Sequence, residues 1–355
     1  MSHEDRAADI RPGEELDRAA VEAYLKASIP GLAGELTIRQ FPSGFSNLTY
    51  LVSAGGREMI LRRPPHGTKA KSAHDMGREV RVLSALRPHF PYCPQVLAFC
   101  QDPAVMGCDF YVMDRIRGVI LRRQLPADRA LDAAAMRRLT ERLVEVMAEL
   151  HGVDYVAAGL ADFGKPSGYV RRQVEGWSLR YRNARTPDVP DGEAIMAWLL
   201  GKMPPESPTP TIIHNDFKLD NVVLDADDPL KIIGVLDWEM ATLGDPLMDL
   251  ACTLAYWVQA DDPPGLTHIA AMPTTRPGSL TRAEAIALYA RKTGRVMDQI
   301  DFYYCFGLFR LAVIVQQIYY RFYHGQTQDP RFARMPPMVA ALLAQAERVM
   351  AQSSL

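Results

Sequence analysis

Polar and apolar side chains alternate in three short segments between residues 35 and 62 of the 355-residue chain. This alternation predicts β-strands at residues 35–41, 48–53 and 58–62. Gly55 and Gly56 separate the last two segments and predict a hairpin turn. Strands joined by so short a turn pair in an antiparallel manner, so the beginning of the chain must fold as an antiparallel sheet.

In most of the remaining chain, apolar residues recur every three to four positions, which is the spacing of a helix. One helix is predicted before the first strand, at residues 13–28, and a second at 72–86, followed by short strands at 95–99 and 110–116. Further helices are predicted at residues 132–151, 192–203, 249–258, 281–293, 301–323 and 336–352. The predicted fold class is therefore α+β with two lobes. The N-lobe, residues 1–117, has a five-stranded antiparallel sheet plus helix, and the C-lobe, residues 118–355, is mainly helical.

Composition narrows the class of protein. The formal net charge is −2 and the pI is about 6.5, so no basic surplus indicates a nucleic-acid partner. The five cysteines include no Cys-x-x-Cys pair, which favours reduced thiols, no zinc site and a cytoplasmic location. The polar N-terminus does not resemble a signal peptide. The apolar stretch 302–323 is interrupted by Arg310 and other polar residues, so a buried helix is predicted rather than a membrane span. The oligomeric state stays open.

The sharpest chemical feature is the spacing His-x-Asp-x-Lys-x-x-Asn at residues 214–221, called the catalytic loop below. Phosphoryl transfer needs an oriented nucleophile and neutralised phosphate charge. Asp216 is predicted to orient an acceptor hydroxyl and take its proton, and Asn221 is predicted to offer its amide oxygen to Mg2+. Lys218 is predicted to contact the transferring phosphoryl group, with an exposed loop lysine as the alternative. His214 is predicted to hold the loop by hydrogen bonds, with its side chain turned away from Asp216.

A second acidic motif follows the apolar run 232–236, where Asp237 leaves the end of a predicted strand. Mg2+ prefers carboxylate together with phosphate oxygen, so Asp237 is a predicted magnesium ligand. One acid-rich loop alone could be a solvated turn, but both motifs in this order after a β-rich lobe indicate a kinase-type site. The tripeptide Asp-Phe-Gly at 162–164 precedes the catalytic loop and is predicted to be a connecting turn. Asp249 is predicted to cap its helix or to brace the catalytic loop.

These residues resemble the aminoglycoside phosphotransferase and choline kinase family, which is itself similar to protein kinases. The resemblance covers nearly the whole chain, and the segments 40–50, 61–65 and 237–246 look like one branch of that family. That branch includes the kinase domain fused to some acyl-CoA dehydrogenases in animals. The resemblance implies a protein-kinase-like fold with ATP between two lobes and ATP and Mg2+ as cofactors. It also implies phosphorylation of a hydroxyl group on a small molecule, such as a hydroxyacyl-CoA.

The same resemblance assigns a nucleotide site in the first lobe. Arg62 stands where a kinase has its strand lysine and would face the α- and β-phosphates, and Glu79 would pair with it. Arg63 should point to the opposite face of the strand. A phosphate-covering turn would use the backbone N–H groups of Ser43, Gly44, Phe45, Ser46 and Asn47. A hinge would bind adenine through the backbone of Met113, Asp114, Arg115 and Ile116. The sequence differs from part of the family at residue 215, which is asparagine here and glycine in many antibiotic kinases.

The sequence leaves the acceptor open. An aromatic and basic stretch fits either the nucleotide end of coenzyme A or a half-exposed helix with its arginines at the surface. Its members are Tyr169, Arg171, Arg172, Trp177, Arg180 and Tyr181. The arginines favour an anionic acceptor over an aminoglycoside or a choline-like amino alcohol. The alternative of another class is a pseudokinase that binds nucleotide without turnover, and the joint presence of Asp216, Asn221 and Asp237 speaks against it.

Overall fold

The computed structural model describes residues 7–41, 47–65, 74–121, 131–268 and 270–355. The chain divides into two compact units. The first comprises Met1–Ile120, Ala157–Leu160 and Val222–Ala241. The second comprises Leu121–Val156, Ala161–Asn221 and Thr242–Leu355. The predicted lobes were continuous stretches, whereas Val222–Ala241 comes from the predicted C-lobe and belongs to the first unit.

The strands of the described residues form three antiparallel sheets. They are β1 Thr37–Gln40, β2 Leu48–Ala54, β3 Arg57–Arg63, β4 Val96–Cys100, β5 Phe110–Asp114, β6 Thr211–Ile213, β7 Val222–Leu224, β8 Ile232–Val235 and β9 Thr242–Gly244. The large sheet has the order β1-β2-β3-β5-β4 and confirms the predicted five-stranded antiparallel sheet. The small sheets pair β6 with β9 and β7 with β8.

The helices follow the predicted periodicity closely. They are α1 Arg18–Ser28, α2 Met76–Leu86, α3 Pro103–Met106, α4 Ala133–His151, α5 Tyr169–Ala184, α6 Glu193–Gly201, α7 Pro246–Tyr256, α8 Pro264–Thr267, α9 Arg282–Thr293, α10 Ile300–Tyr323 and α11 Pro336–Gln352. The eight helices predicted from apolar spacing are all present. The spacing did not predict α3 and α8, which have four residues each and bury too few side chains to leave a periodic pattern. A helix at α5 was only one of two interpretations of the aromatic and basic stretch.

The first unit buries one face of its large sheet against α1. Along β2, buried residues alternate with half-buried ones, as the sequence pattern predicts. The same apolar cluster contains Val21 and Leu25 of α1. This helix begins five residues later than predicted because Asp17 caps it, with its side chain accepting the N–H of Ala20 at 3.0 Å.

The β7–β8 hairpin joins the first unit through backbone hydrogen bonds. Val119 and Leu224 exchange two N–H···O bonds of 2.8 Å, and the Val235 N–H donates to the Tyr92 carbonyl at 2.9 Å. A Cβ on Gly118 would lie 2.1 Å from the Leu224 carbonyl oxygen, so only glycine permits this approach. These bonds explain why a segment that follows the catalytic loop belongs with the N-terminal sheet.

The second unit is built around α10, which packs against α5, α7 and α11. Phe302, Phe306 and Phe309 are fully buried along it. Gly307 faces α7, and a Cβ there would lie 2.2 Å from the Ala251 carbonyl oxygen. By length and composition α10 could cross a membrane, but 72% of its most apolar window is buried in the protein. That burial agrees with the buried helix predicted for this stretch.

The start of α7 corrects one prediction. The helix begins at Pro246, three residues before the predicted start, because the Asp245 side chain caps it by accepting the Leu247 N–H at 2.8 Å. Proline fits the first helical position, where no N–H is needed. Asp249 is therefore not the cap. It lies in the first turn of α7 and takes the other predicted role, since it braces the catalytic loop.

The aromatic and basic stretch forms α5 and divides its residues between two faces. Tyr169, Trp177 and Tyr181 are buried, whereas the arginines of the stretch are exposed. Arg171 lies 3.6 Å from Glu175 on the next turn, and the Arg180 guanidinium lies 4.6 Å from the Trp177 ring centre. The described geometry is that of a half-exposed helix with surface arginines.

Candidate active site

Arg62 lies on β3 among three carboxylates of the first unit and is only 9% exposed. Its Nη2 lies 3.0 Å from Asp237 Oδ1 and 3.7 Å from Glu239 Oε2. Its Nε lies 3.6 Å from Glu79 Oε2, so the two residues predicted to pair are brought together. Burial alone would lower the pKa of Arg62, but Tyr111 and the three carboxylates raise that pKa well above its ordinary value. The guanidinium therefore stays charged.

Tyr111 is part of this arrangement and was not identified from the sequence. It stands directly opposite Arg62 in the pairing of β5 with β3. Its hydroxyl donates to Glu79 Oε2 at 2.8 Å. Burial raises the pKa of Glu79, while Arg62 and the Tyr111 hydroxyl oppose that rise. The signal that identifies Tyr111 is its cross-strand register, which requires the strand pairing and not only the strand pattern.

Asn47 connects two of the same carboxylates. Its Nδ2 donates to Glu79 Oε1 at 3.0 Å and to Glu239 Oε2 at 2.8 Å, and its Oδ1 lies 2.8 Å from His74 Nδ1. Asn47 thus anchors the end of the predicted phosphate-covering turn by its side chain. The other predicted members of that turn, Ser43, Gly44, Phe45 and Ser46, lie outside the described residues. We call Arg62, Asn47, Glu79, Tyr111, Asp237 and Glu239 the Arg62 cluster.

Asp237 leaves the end of β8 in a left-handed backbone conformation, with φ at +66°. Few residues other than glycine adopt this region, and such residues concentrate at functional sites. The following turn is held by the Trp238 indole, whose Nε1 donates to the Val235 carbonyl at 2.9 Å. The Asp237 side chain is 36% exposed, although it pairs with Arg62. The carboxylate thus remains accessible at the end of its strand.

The catalytic loop is braced by Asp249, a carboxylate with no solvent exposure. The N–H groups of His214 and Asn215 each donate to Asp249 at 2.7 Å, one to each oxygen. His151 Nε2 lies 3.1 Å from Asp249 Oδ2 and must donate, because an ionised carboxylate only accepts. His151 Nδ1 in turn lies 2.7 Å from the Tyr289 hydroxyl. Burial would raise the pKa of Asp249, but these donors and His214 lower it.

Three predicted residues converge within the catalytic loop. Lys218 Nζ lies 2.9 Å from Asp216 Oδ2. Asn221 Nδ2 donates to the same Asp216 oxygen at 2.8 Å and to the Asp216 carbonyl at 2.9 Å. The Lys218 side chain is 15% exposed, and its ammonium lies 4.7 Å from the Tyr256 ring centre. The alternative of an exposed loop lysine is therefore excluded.

The charge of Asp216 is stabilised by its neighbours. Burial would raise the pKa of Asp216, but Lys218 lowers it, with further contributions from Arg310 and His214, and the net direction is down. His214 Nδ1 accepts the Asp216 N–H at 3.3 Å, so His214 holds the loop by hydrogen bonding. An ionised Asp216 is the form that can accept a hydrogen bond from an acceptor hydroxyl.

The oxygen donors suit magnesium held together with phosphate. Among the described residues, no group of three or more His, Cys, Asp or Glu side chains could hold a metal ion. Mg2+ bound with substrate phosphates needs only one or two protein oxygens and keeps several waters. Asn221 uses Nδ2 for both of its bonds to Asp216, and its Oδ1 is the end that suits a metal. In the first unit, the accessible carboxylate of Asp237 is likewise an oxygen donor of the kind that Mg2+ prefers.

Comparison with known proteins decides the family. The model of the phosphotransferase enzyme family matches residues 37–283, which is more than half of the chain. The chain belongs to the phosphotransferase enzyme family. It is a phosphotransferase that acts on hydroxyl groups, and the family predicted from the motifs is confirmed.

One curated relative of this phosphotransferase is mouse (Mus musculus) acyl-CoA dehydrogenase family member 10, with 34% identity over 323 residues. That match covers 90% of the chain but 30% of the relative, so the chain spans under a third of that relative's length. A proposed aminoglycoside phosphotransferase from Ralstonia eutropha has a solved structure with 31% identity and a TM-score of 0.79. That comparison covers 94% of the chain and 99% of the other.

A more distant structure shows the same fold. The aminoglycoside phosphotransferase APH(4)-Ia, solved in a ternary complex with AMP-PNP and hygromycin B, is 17% identical with a TM-score of 0.57. The comparison covers 94% of the phosphotransferase and all of that chain. The predicted kinase-like α+β fold is therefore confirmed.

The predicted hinge begins within the last two residues of β5. Met113 is buried, Asp114 Oδ1 lies 3.0 Å from Arg57 Nη2, and Arg115 pairs with Glu58. These ion pairs tie the side chains of the segment to β3 and its hairpin turn. The binding of adenine by the backbone of Met113, Asp114, Arg115 and Ile116 stays a prediction. The tripeptide 162–164 forms a turn, as predicted.

Proposed function

We propose that this phosphotransferase is a magnesium- and ATP-dependent kinase of a small-molecule hydroxyl compound. The observation that carries the proposal is the convergence of Lys218 and Asn221 on one oxygen of a half-buried, ionised Asp216. A carboxylate placed in this way can accept the proton of an acceptor hydroxyl, while the adjacent ammonium offers charge to the transferring phosphoryl group.

The proposed reaction assigns a role to each of these side chains. Asp216 orients the acceptor hydroxyl and takes its proton as the hydroxyl oxygen attacks the γ-phosphorus of ATP. The bond from the γ-phosphorus to the β–γ bridging oxygen breaks, and ADP leaves. Lys218 stabilises the negative charge on the transferring phosphoryl oxygens. The products are a phosphate ester, ADP and one proton, which Asp216 releases to solvent after the transfer.

Magnesium and the nucleotide phosphates are assigned to two sets of residues. Asn221 and Asp237 would hold the metal, which when bound neutralises phosphate charge and positions the phosphates. Arg62 would contact the α- and β-phosphates, and Glu79 and Asn47 would hold Arg62 and the phosphate-covering turn. The charged, buried guanidinium of Arg62 supports this assignment, because a cation fixed by carboxylates is already positioned for an anion.

For the acceptor we propose a hydroxyacyl-CoA. The support is the name of the mouse relative, acyl-CoA dehydrogenase family member 10, of which the chain spans 30%. The charges near Asp216 point the same way, because Lys218 and Arg310 both act on this carboxylate and disfavour a cationic acceptor. A second candidate is an aminoglycoside or choline-like amino alcohol, which the similarity to the Ralstonia eutropha protein favours.

ADP release with a panel of acceptors tests the proposal. The panel contains hydroxyacyl-CoAs of several chain lengths, choline, kanamycin and hygromycin B, with Mg2+ present or chelated. We expect turnover with a hydroxyacyl-CoA that is lost on chelation. We also expect Asp216→Asn to lower kcat at least about 100-fold. Turnover with kanamycin and none with any acyl-CoA would overturn the proposed acceptor.

A matched control is available in the Asp-Phe-Gly tripeptide. Asp162 is exposed and spells the same motif as a protein-kinase metal ligand, but it precedes the catalytic loop. Asp162→Asn is therefore expected to keep the activity that Asp216→Asn loses. Nucleotide binding without turnover for any acceptor would favour the pseudokinase alternative. A cytoplasmic location stays a prediction and is tested by fractionation.

A further inference from the structure

Arg310 is a buried cation in the middle of α10. It is 3% exposed, and its neighbours along the helix are almost all apolar. Removing a guanidinium from water is unfavourable unless its hydrogen-bonding capacity is used. The environment of Arg310 should therefore show what the side chain does.

The Arg310 guanidinium is fixed between an aromatic ring and a backbone carbonyl. Its centre lies 5.1 Å from the ring centre of Trp177 on α5, which is a cation–π distance. Its Nη2 donates to the carbonyl of Asn215 at 2.9 Å. Asn215 immediately precedes Asp216, so the buried cation contacts the residue next to the predicted catalytic carboxylate.

Asn215 has a backbone conformation that needs support. Its φ is +66°, a left-handed value that asparagine tolerates better than most residues but that still costs free energy. Three helices hold it at three atoms. Its N–H donates to Asp249 on α7 at 2.7 Å, and its Oδ1 accepts the hydroxyl of Tyr169 on α5 at 3.3 Å. Its carbonyl accepts Arg310 on α10 at 2.9 Å.

The last of these bonds holds the peptide group that leads into Asp216. The carbonyl of Asn215 and the N–H of Asp216 belong to one planar peptide group. Arg310 holds one end of that plane, and His214 Nδ1 accepts the N–H at the other end at 3.3 Å. A plane fixed at both ends fixes the position of the Asp216 Cα, from which the side chain extends. Glycine at position 215 would adopt the left-handed backbone conformation, but it would lack the side-chain oxygen that accepts the Tyr169 hydroxyl.

We propose that Arg310 is a positioning residue of the phosphoryl-transfer step, acting on Asp216 through the Asn215–Asp216 peptide. The inference rests on the proposed function, because it assigns Arg310 to a reaction in which Asp216 orients the acceptor. The partners of Arg310 lie in the catalytic loop, on α5 and on α7, where Cys252 is a side-chain hydrogen-bond partner. Since all of them belong to the second unit around Asp216, the loss of Arg310 affects the chemical step more than nucleotide binding.

Two substitutions separate this role from a structural one. Arg310→Met keeps apolar contact with Trp177 but removes the donor to Asn215, whereas Arg310→Lys keeps a charged donor. The control is Gln316→Met on the same helix. Gln316 is equally buried, and its Nε2 donates to the Ala184 carbonyl at 2.8 Å and to Thr186 Oγ1 at 3.1 Å, at the end of α5. All three variants are measured for kcat, KM for ATP and thermal unfolding.

The expected result is a split between kcat and KM. Arg310→Met should lower kcat about 100-fold, since a displacement of roughly 1 Å at a reacting group has that effect, with KM for ATP within about twofold. Arg310→Lys should recover about tenfold of the loss by replacing the donor. Gln316→Met should lower the unfolding temperature but keep kcat within about twofold, because its partners lie outside the catalytic loop. The acceptor is the one that gives turnover in the panel, or water if only slow ATP hydrolysis is seen.

Other outcomes overturn the inference. If Arg310→Met and Gln316→Met lose kcat equally, or if Arg310→Lys recovers nothing, Arg310 is only a structural residue. If Arg310→Met does not fold, Arg310→Lys and Arg310→Gln carry the same kcat and KM comparison. A wild-type chain without turnover for any acceptor, water included, refutes the proposed function and this inference together. A wild-type chain with turnover and unchanged Arg310 variants refutes the inference alone.

Discussion

Replacing Asp249 with asparagine is expected to destabilise the second unit and to lower activity. The side chain is fully buried and accepts the N–H groups of His214 and Asn215 at 2.7 Å, one on each oxygen. Asparagine has one oxygen and one NH2 group, so one of the two backbone N–H groups would face another donor. A backbone N–H cannot reverse its role, and the conflict cannot be relieved by rotation.

The size of the effect follows from these contacts. A hydrogen bond to a charged group contributes about 1.5–3 kcal/mol, and breaking a buried charged network costs about 3–5 kcal/mol. We therefore expect Asp249→Asn to lower the free energy of unfolding by about 3–5 kcal/mol. For a unit of this size, that corresponds to a decrease in Tm of roughly 6–20 °C.

Asp245, four residues earlier on the same helix, provides the matched control. Its second partner is the Tyr303 hydroxyl, at 3.0 Å from Oδ2, which can rotate to accept from an amide. Asparagine is also a good helix cap, so the bond to the Leu247 N–H is kept. Burial raises the pKa of Asp245, although these donors oppose the rise. The ionised form of Asp245 thus reduces the free energy of unfolding above the raised pKa of this carboxyl. The free energy of unfolding of Asp245→Asn should therefore be within about 1 kcal/mol of the wild-type value, or higher.

The two substitutions are compared by urea unfolding at pH 7.5 and at lower pH. The pKa of Asp249 is lowered in the folded protein, so its contribution is complete above the unfolded pKa of about 3.9 and is lost as pH falls through the folded value. The difference between wild type and Asp249→Asn should be constant from pH 5 to pH 8 and should shrink only below roughly pH 4. A difference of less than 1 kcal/mol at pH 7.5, or equal effects of both substitutions, would refute this account of the brace.

Three further substitutions and one thiol reagent test other parts of the structure. Gly307→Ala should lower the free energy of unfolding by about 1–3 kcal/mol despite the helix propensity of alanine, because its Cβ would lie 2.2 Å from the Ala251 carbonyl oxygen. The control Gly201→Ala has open space around it and should raise the free energy of unfolding by up to about 1 kcal/mol. Urea unfolding measures both substitutions. Tyr111→Phe should cost about 1–3 kcal/mol in the same assay, because a buried carboxylate loses a donor. A thiol reagent should modify Cys108 in the native protein well before the four buried cysteines and all five cysteines after unfolding, and rapid native modification of more than one would contradict the burial.

Much of the fold could be predicted from the sequence because its elements have regular periods. The five strands of the large sheet and eight of the eleven helices in the described residues were predicted with boundaries within a few residues. The differences have local causes: α1 and α7 begin where Asp17 and Asp245 accept a backbone N–H, which apolar spacing does not report. The assignment of the β7–β8 hairpin to the first unit depends on bonds such as Val119 to Leu224, between residues far apart in sequence.

The candidate site could be predicted from the sequence only where its residues lie in one short segment. The spacing of the catalytic loop identified Asp216, Lys218 and Asn221 because these residues lie in one short segment. Arg310 is different, because its position on α10 is 95 residues from its partner Asn215 and only packing brings them together. Tyr111 required the register of two strands. The sequence therefore indicated the residues that share the loop, and it offered the brace as one of two roles for Asp249, but it did not indicate that Arg310 contacts the loop from α10.

The discontinuous first unit has a consequence for biosynthesis. Arg62 and its partner Asp237 are 175 residues apart. At a translation rate of about 5–20 residues per second, Arg62 is made roughly 9 to 35 seconds before Asp237. During that interval the nascent sheet can pair its strands and Arg62 can meet Glu79, but its 3.0 Å partner is missing. A nascent or truncated chain that stops before β8 thus exposes a sheet with an incompletely neutralised charge, and it is expected to depend on chaperones until the hairpin arrives.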